Sequence, residues 1–118
     1  MRLLIVEDDR ELREALSALL RQAGYEVDAQ ADGREAFNSL LGSEYDLAIV
    51  DLMLPGMNGR ELAERMREAT PDVKVLYVSG YTDDDDVLAA KFPPGAHFLQ
   101  KPFTLSALVT KVRQAMES

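Results

Sequence analysis

The sequence predicts an α/β fold: a single doubly wound, five-stranded parallel sheet with helices on both faces. Three observations carry that expectation. Short apolar runs, such as Leu47-Ala48-Ile49-Val50, stop at a carboxylate or at turn residues, as strands buried on both faces do. Between the runs lie segments whose apolar residues recur at intervals of three and four, the signature of one helix face. The alternation repeats five times at βαβ spacing, with no linker, low-complexity tract or internal boundary. Right-handed crossovers then place helices on both faces, and the order 2-1-3-4-5 suits this length best. In that order strands one and three are neighbours.

Leu3-Leu4-Ile5-Val6 is the first strand, and it ends in Glu7-Asp8-Asp9. Leu12, Ala15, Leu16, Leu19, Leu20 and Ala23 mark a helix that Asp9 caps and Gly24 closes. Residues 25–29 alternate and read as a strand nearer an edge. Asp32-Gly33 opens a second helix with Ala36, Phe37, Leu40 and Leu41 inward, ended by Gly42. The third strand closes at Asp51 and is followed by a loop through Pro55-Gly56 and Asn58-Gly59. Leu62, Ala63 and Met66 mark the third helix, stopped before Thr70-Pro71. Residues 73–78 form the fourth strand, ending in Ser79-Gly80. Four consecutive aspartates from Asp83 favour a helix start through the macrodipole, so a short helix is expected over 83–92. His97-Phe98-Leu99 is a brief fifth strand leading to Lys101-Pro102. Leu105, Leu108, Val109, Val112 and Met116 share one face of the last helix.

Composition narrows the function classes. A hydrophobic fraction of 47% and a charged fraction of 29% describe an ordinary globular chain, expected to form one domain over 1–118 with no output domain. Without cysteine there is neither a disulfide framework nor a thiolate metal site, and the single histidine, His97, excludes His-rich zinc chemistry. His97 is expected at the surface. No apolar stretch approaches the ~20 residues that span a bilayer, and the amino terminus lacks a signal-peptide pattern, so the expected compartment is the cytoplasm. A net charge of −8 argues against direct nucleic-acid binding, which needs a basic face.

The proposed topology gathers chemistry at the carboxyl edge of the sheet, where open α/β folds bind ligands. Strand one delivers Glu7 and Asp8, strand three Asp51, strand four Ser79, and strand five Lys101 within two residues. Two unit charges ~5 Å apart at an effective dielectric of ~20 cost about 3 kcal/mol, so such carboxylates must protonate, spread apart or recruit a cation. Hard oxygen ligands on an open rim suit Mg²⁺. With Mg²⁺, Asp51 becomes a nucleophile toward phosphorus, with Lys101 neutralising phosphoryl oxygens and the Ser79 hydroxyl donating a hydrogen bond. Blander readings stand beside these. Ser79 is equally a turn residue, Phe98 reads as core, and Met53 and Met57 read as loop packing residues.

Ile5-Val6-Glu7-Asp8-Asp9, Val50-Asp51-Leu52-Met53-Leu54-Pro55-Gly56-Met57-Asn58-Gly59, Val78-Ser79-Gly80 and Lys101-Pro102-Phe103 together resemble the receiver domains of two-component response regulators, across the whole chain and in order. The resemblance implies a flavodoxin-like (βα)5 fold and a phosphoacceptor switch. By position Asp51 matches the phosphoacceptor, Asp8 the direct Mg²⁺ ligand, and Glu7 an acid linked to the metal through water. Met53 matches the residue whose backbone carbonyl binds the metal, and Ser79 and Lys101 match the hydroxyl and basic positions. Phe98 falls at the switch aromatic, and Lys101-Pro102 at a peptide bond that is typically cis. The implied partner is a histidine kinase or histidine phosphotransfer domain, and the implied output face runs from strand four to the last helix. Homodimerisation through the last two strand–helix units is a habit of the family. Such a domain assists only its own phosphorylation and dephosphorylation and is not otherwise an enzyme. Gly80-Tyr81-Thr82-Asp83 and the segment 98–104 resemble the closing receiver segments of hybrid sensor histidine kinases, so a stand-alone regulator and a kinase-attached domain are both open. Three rivals remain. An aspartyl phosphatase would want a general acid where Met53 stands. A flavin-binding module would meet Glu7-Asp8-Asp9 where its phosphate belongs. A receiver-like scaffold would need no phosphorylation at all.

Overall fold

The computed structural model describes residues 1–54, 58–79 and 96–117. Five parallel strands form one sheet: β1 (Arg2–Val6), β2 (Glu26–Gln30), β3 (Leu47–Asp51), β4 (Lys74–Ser79) and β5 (His97–Gln100). Their order is β2-β1-β3-β4-β5, as the sequence predicts, with β3 central and β2 on an edge. Leu3 pairs with Leu47 and Asp51 with Val78, so β1, β3 and β4 end at one edge. Among the described residues the helices are α1 (Arg10–Gln22), α2 (Gly33–Gly42), α3 (Gly59–Ala69) and α4 (Leu105–Glu117). The helix expected over 83–92 lies outside the described residues, as do Pro55, Gly56 and Met57.

Alternate residues of each strand feed two cores, as the two-residue period of a pleated strand requires. Leu4, Val6, Ala48, Val50 and Tyr77 pack with Leu40, Leu62 and Met66 of α2 and α3. Leu3, Ile5, Ile49 and Val78 pack on the other face with Leu16, Leu20, Leu108 and Val112 of α1 and α4. β3 is buried at all five positions, which is why its sequence is apolar throughout.

Local chemistry sets the helix ends. Asp9 accepts from the Leu12 amide at 3.2 Å, Asp32 from Glu35 at 2.8 Å, and Asn58 from Arg60 at 2.9 Å, each satisfying an otherwise orphaned donor. α1 is closed by Gly24 at φ +99°, the left-handed conformation that glycine adopts without strain. Two helix faces are narrower than periodicity suggests. Leu41, expected inward, is 60% exposed, because it lies about 100° around α2 from Leu40, on the flank of the stripe that Ala36 and Leu40 bury. Ala15 and Ala23 are exposed as well, and the buried stripe of α1 is Leu16, Ser17 and Leu20.

Candidate functional site

Asp51 is the last residue of the central strand and is 3% exposed. The Leu52 amide donates to Val78 O at 2.9 Å, extending the β3–β4 ladder one step beyond it. The Met53 amide then turns back to Asp51 Oδ1 at 2.9 Å, an Asx turn that orients the carboxylate. α3 starts directly against this backbone. A Cβ on Gly59 would stand 2.5 Å from Asp51 O and 2.7 Å from Leu52 Cα, so only glycine allows the approach.

Beside it, the Glu7 amide donates to Gln30 O at 3.1 Å and stays in the sheet, while its 3%-exposed side chain faces the site. Asp8 is exposed on the rim. From the far side, the Lys101 amide donates to Ser79 O at 2.7 Å, and the Lys101-Pro102 peptide is cis, as the family resemblance implies. The Lys101 ammonium donates to Glu7 Oε1 at 2.6 Å and to Asp51 Oδ2 at 3.0 Å.

Carboxylate oxygens of Glu7, Asp8 and Asp51 lie within 4.8 Å of one another. At an effective dielectric of ~20, a pair at that separation repels by about 3.5 kcal/mol. Burial, and then the neighbouring Asp51, push the Glu7 carboxyl up to about 7, while the contact with Lys101 pulls it back. Burial disfavours the Lys101 ammonium, but its hydrogen bonds to Glu7 and Asp51 outweigh that and hold its pKa above the usual value. The donor set is therefore three hard oxygens, with one ammonium bonded to two of the three acids. That composition fits a small divalent cation such as Mg²⁺.

The remaining expected residues are dispersed around this centre. Ser79 is buried at the end of β4, in register with Gln100, and its carbonyl is the one that fixes Lys101. Met53 presents its backbone to Asp51 and leaves its side chain 59% exposed. Phe98 is half-buried and stacks on Tyr77, with ring centroids 5.3 Å apart and planes at 27°. His97 is half-buried, not fully at the surface. Sequence reasoning missed three participants: Tyr77, Gly59 and Arg13. Helical side chains lean toward the helix amino terminus. A long cation one turn after the Asp9 cap was therefore a readable sign that Arg13 reaches back to the strand end.

A parallel sheet in this order, with acids gathered where β1 and β3 diverge, defines a CheY-like, flavodoxin-like domain. The chain belongs to the response regulator receiver domain family of two-component systems, whose model matches residues 3–113. It is 38% identical over 112 residues to the regulatory protein VanRB of Enterococcus faecalis, covering 95% of this chain and 50% of that protein. It is 37% identical over 118 residues to the sensor kinase CckA of Brucella abortus, covering 97% of this chain and 12% of the kinase. The chain thus spans half or less of the length of these two relatives. Among solved structures, the response regulator TrrA of Thermotoga maritima, in complex with Mg²⁺ and BeF, superposes with a TM-score of 0.83 at 31% identity, covering 97% of each chain. Among the described residues, no helix is long and apolar enough to cross a membrane.

Proposed function

We propose that this domain is a phosphoacceptor switch, with Asp51 taking a phosphoryl group from a phosphohistidine on a histidine kinase or histidine phosphotransfer domain. The observation that supports this most is the setting of Asp51: buried, oriented by the Met53 amide, and within 3.0 Å of the Lys101 ammonium beside Glu7 and Asp8. In the transfer, an Asp51 carboxylate oxygen forms the O–P bond as the N–P bond of the phosphohistidine breaks, and the electron pair returns to the imidazole nitrogen.

Asp8 and Asp51 would hold Mg²⁺ directly, Glu7 through water, and Met53 through its backbone carbonyl. When bound, Mg²⁺ neutralises the acids and the phosphoryl oxygens, and the complex of TrrA with Mg²⁺ and BeF is consistent with that use of the fold. Lys101 exchanges a carboxylate for a phosphoryl oxygen, and the Ser79 hydroxyl donates to another. These contacts favour one arrangement of the chain after β3, and the change is read on the face formed by β4, β5 and α4. Phe98, on that face, changes rotamer with it. Met53, two residues past Asp51, carries no acid, so the aspartyl phosphatase reading lacks its proton donor. Incubation with acetyl phosphate and Mg²⁺, read by intact mass, adds one phosphoryl group to the wild type and none to Asp51→Asn. Equal addition to both would exclude Asp51.

A further inference from the structure

We infer that Arg13 is a positioning residue for the acid pair at the end of β1, and that it sets how well that pair holds Mg²⁺ in preference to Ca²⁺. The inference rests on the reading that Glu7, Asp8 and Asp51 form a Mg²⁺ site. Glu7 and Asp8 follow β1 directly, and the chain bends at Asp8. Adjacent in sequence, both bring a carboxylate oxygen into the same cluster. The Arg13 guanidinium holds that bend. A single nitrogen, Nη1, donates to Glu7 O at 3.0 Å and to Asp8 O at 3.4 Å, so two consecutive carbonyls converge on one donor.

Arg13 is itself well anchored. Its amide donates to Asp9 O at 2.8 Å, and its carbonyl accepts from the Ser17 hydroxyl at 2.7 Å. The neighbouring Arg10 behaves differently, pairing with Glu14 at 3.1 Å on the exposed side of the same helix. The side-chain bond within the turn, from the Asp9 amide to Glu7 Oε2, is 3.3 Å long and uses a carboxylate oxygen. Arg13 works on the carbonyls and leaves both carboxylates available.

Position and charge act in opposite directions here, which makes the inference decidable. A cation on the backbone of two of the acids competes electrostatically with any metal, so its removal alone would tighten metal binding. Its loss as a brace would loosen the turn and weaken binding. Mg²⁺ demands near-ideal octahedral geometry, whereas Ca²⁺ tolerates irregular sites, so a loosened turn penalises Mg²⁺ more.

The test is calorimetric titration of Mg²⁺ and of Ca²⁺ into the full chain, with circular dichroism confirming each variant folded. Arg13→Ala is expected to weaken Mg²⁺ binding roughly tenfold, the scale seen when a group that orients metal ligands is removed. Ca²⁺ binding falls less, so the Mg²⁺-to-Ca²⁺ preference drops. Arg13→Lys, whose ammonium reaches one carbonyl, recovers part of the loss and carries the test if the alanine variant does not fold. Arg10→Ala makes the same change of charge on the same helix and leaves Mg²⁺ binding unchanged. Equal or tighter Mg²⁺ binding by Arg13→Ala, an unchanged preference, or the same loss in Arg10→Ala would overturn the inference. A wild type that binds no Mg²⁺ would overturn the metal reading itself, and this inference with it.

Discussion

The Lys101 ammonium lies closer to Glu7, at 2.6 Å, than to Asp51, at 3.0 Å. The lysine places its positive charge directly against two of the clustered acids. Removing one partner of a buried ion pair leaves uncompensated charge, typically ~3–5 kcal/mol, and the partial exposure of Lys101 reduces that here. Lys101→Met is expected to lose about 2 kcal/mol in urea unfolding with EDTA present. Mg²⁺ should then raise its midpoint more than that of the wild type, since the vacated charge favours the metal.

Gly59 tests the packing behind Asp51. An alanine Cβ there meets backbone on both sides, at 2.5 Å and 2.7 Å, and backbone does not rotate away. Gly59→Ala is expected to cost about 2–3 kcal/mol by displacing the start of α3 from the end of β3, read as a lower urea midpoint. Gly42→Ala, with nothing within 4 Å of its Cβ, is the neutral control.

The opposite edge of the sheet carries a pH-sensitive clasp. Tyr45 donates to Asp28 Oδ2 at 2.6 Å, and Arg2 donates to the same oxygen at 2.8 Å. Burial and the Asp28 carboxylate push the Tyr45 phenol up to about 12, above its ordinary 10. A group whose pKa rises on folding contributes fully below its unfolded value, so the Tyr45 contribution is complete below pH 10 and lost between pH 10 and 12. The Tyr45 and Arg2 hydrogen bonds more than offset burial and hold Asp28 below its ordinary value, so its contribution is lost as pH falls through the acidic range. Tyr45→Phe is expected to cost about 1 kcal/mol at neutral pH, and the difference from wild type should vanish by pH 12. Urea unfolding across that range checks it.

Tyr77 and Phe98 stack between β4 and β5 at paired positions. A double-mutant cycle of Tyr77→Leu and Phe98→Leu is expected to give a coupling of about 1 kcal/mol. Additive losses would mean that the stack does not restrain Phe98.

The legible part of the molecule was its local part. The strand and helix periods and the cap at Asp9 follow from periodicity and turn chemistry. The strand order, and with it the gathering of Glu7, Asp8, Asp51 and Lys101 at one edge, leaned on the resemblance to receiver domains. What was illegible depends on register and on side-chain direction across large sequence separations. Glu7 and Lys101 are 94 residues apart, and nothing local to either says that the ammonium would favour Glu7 over Asp51. The Tyr77–Phe98 stack needs the β4–β5 register, and the role of Gly59 needs the angle at which α3 meets β3. Leu41 is exposed because the buried face of α2 is narrower than its run of apolar residues.

The central claim is that Asp51 is the residue modified. After incubation with acetyl phosphate and Mg²⁺, borohydride reduction converts an aspartyl phosphate to homoserine, which tandem mass spectrometry locates. Homoserine is expected at position 51 alone, dependent on Mg²⁺. Homoserine at position 8 or at another acid, or none under conditions where the intact mass rises, would contradict it.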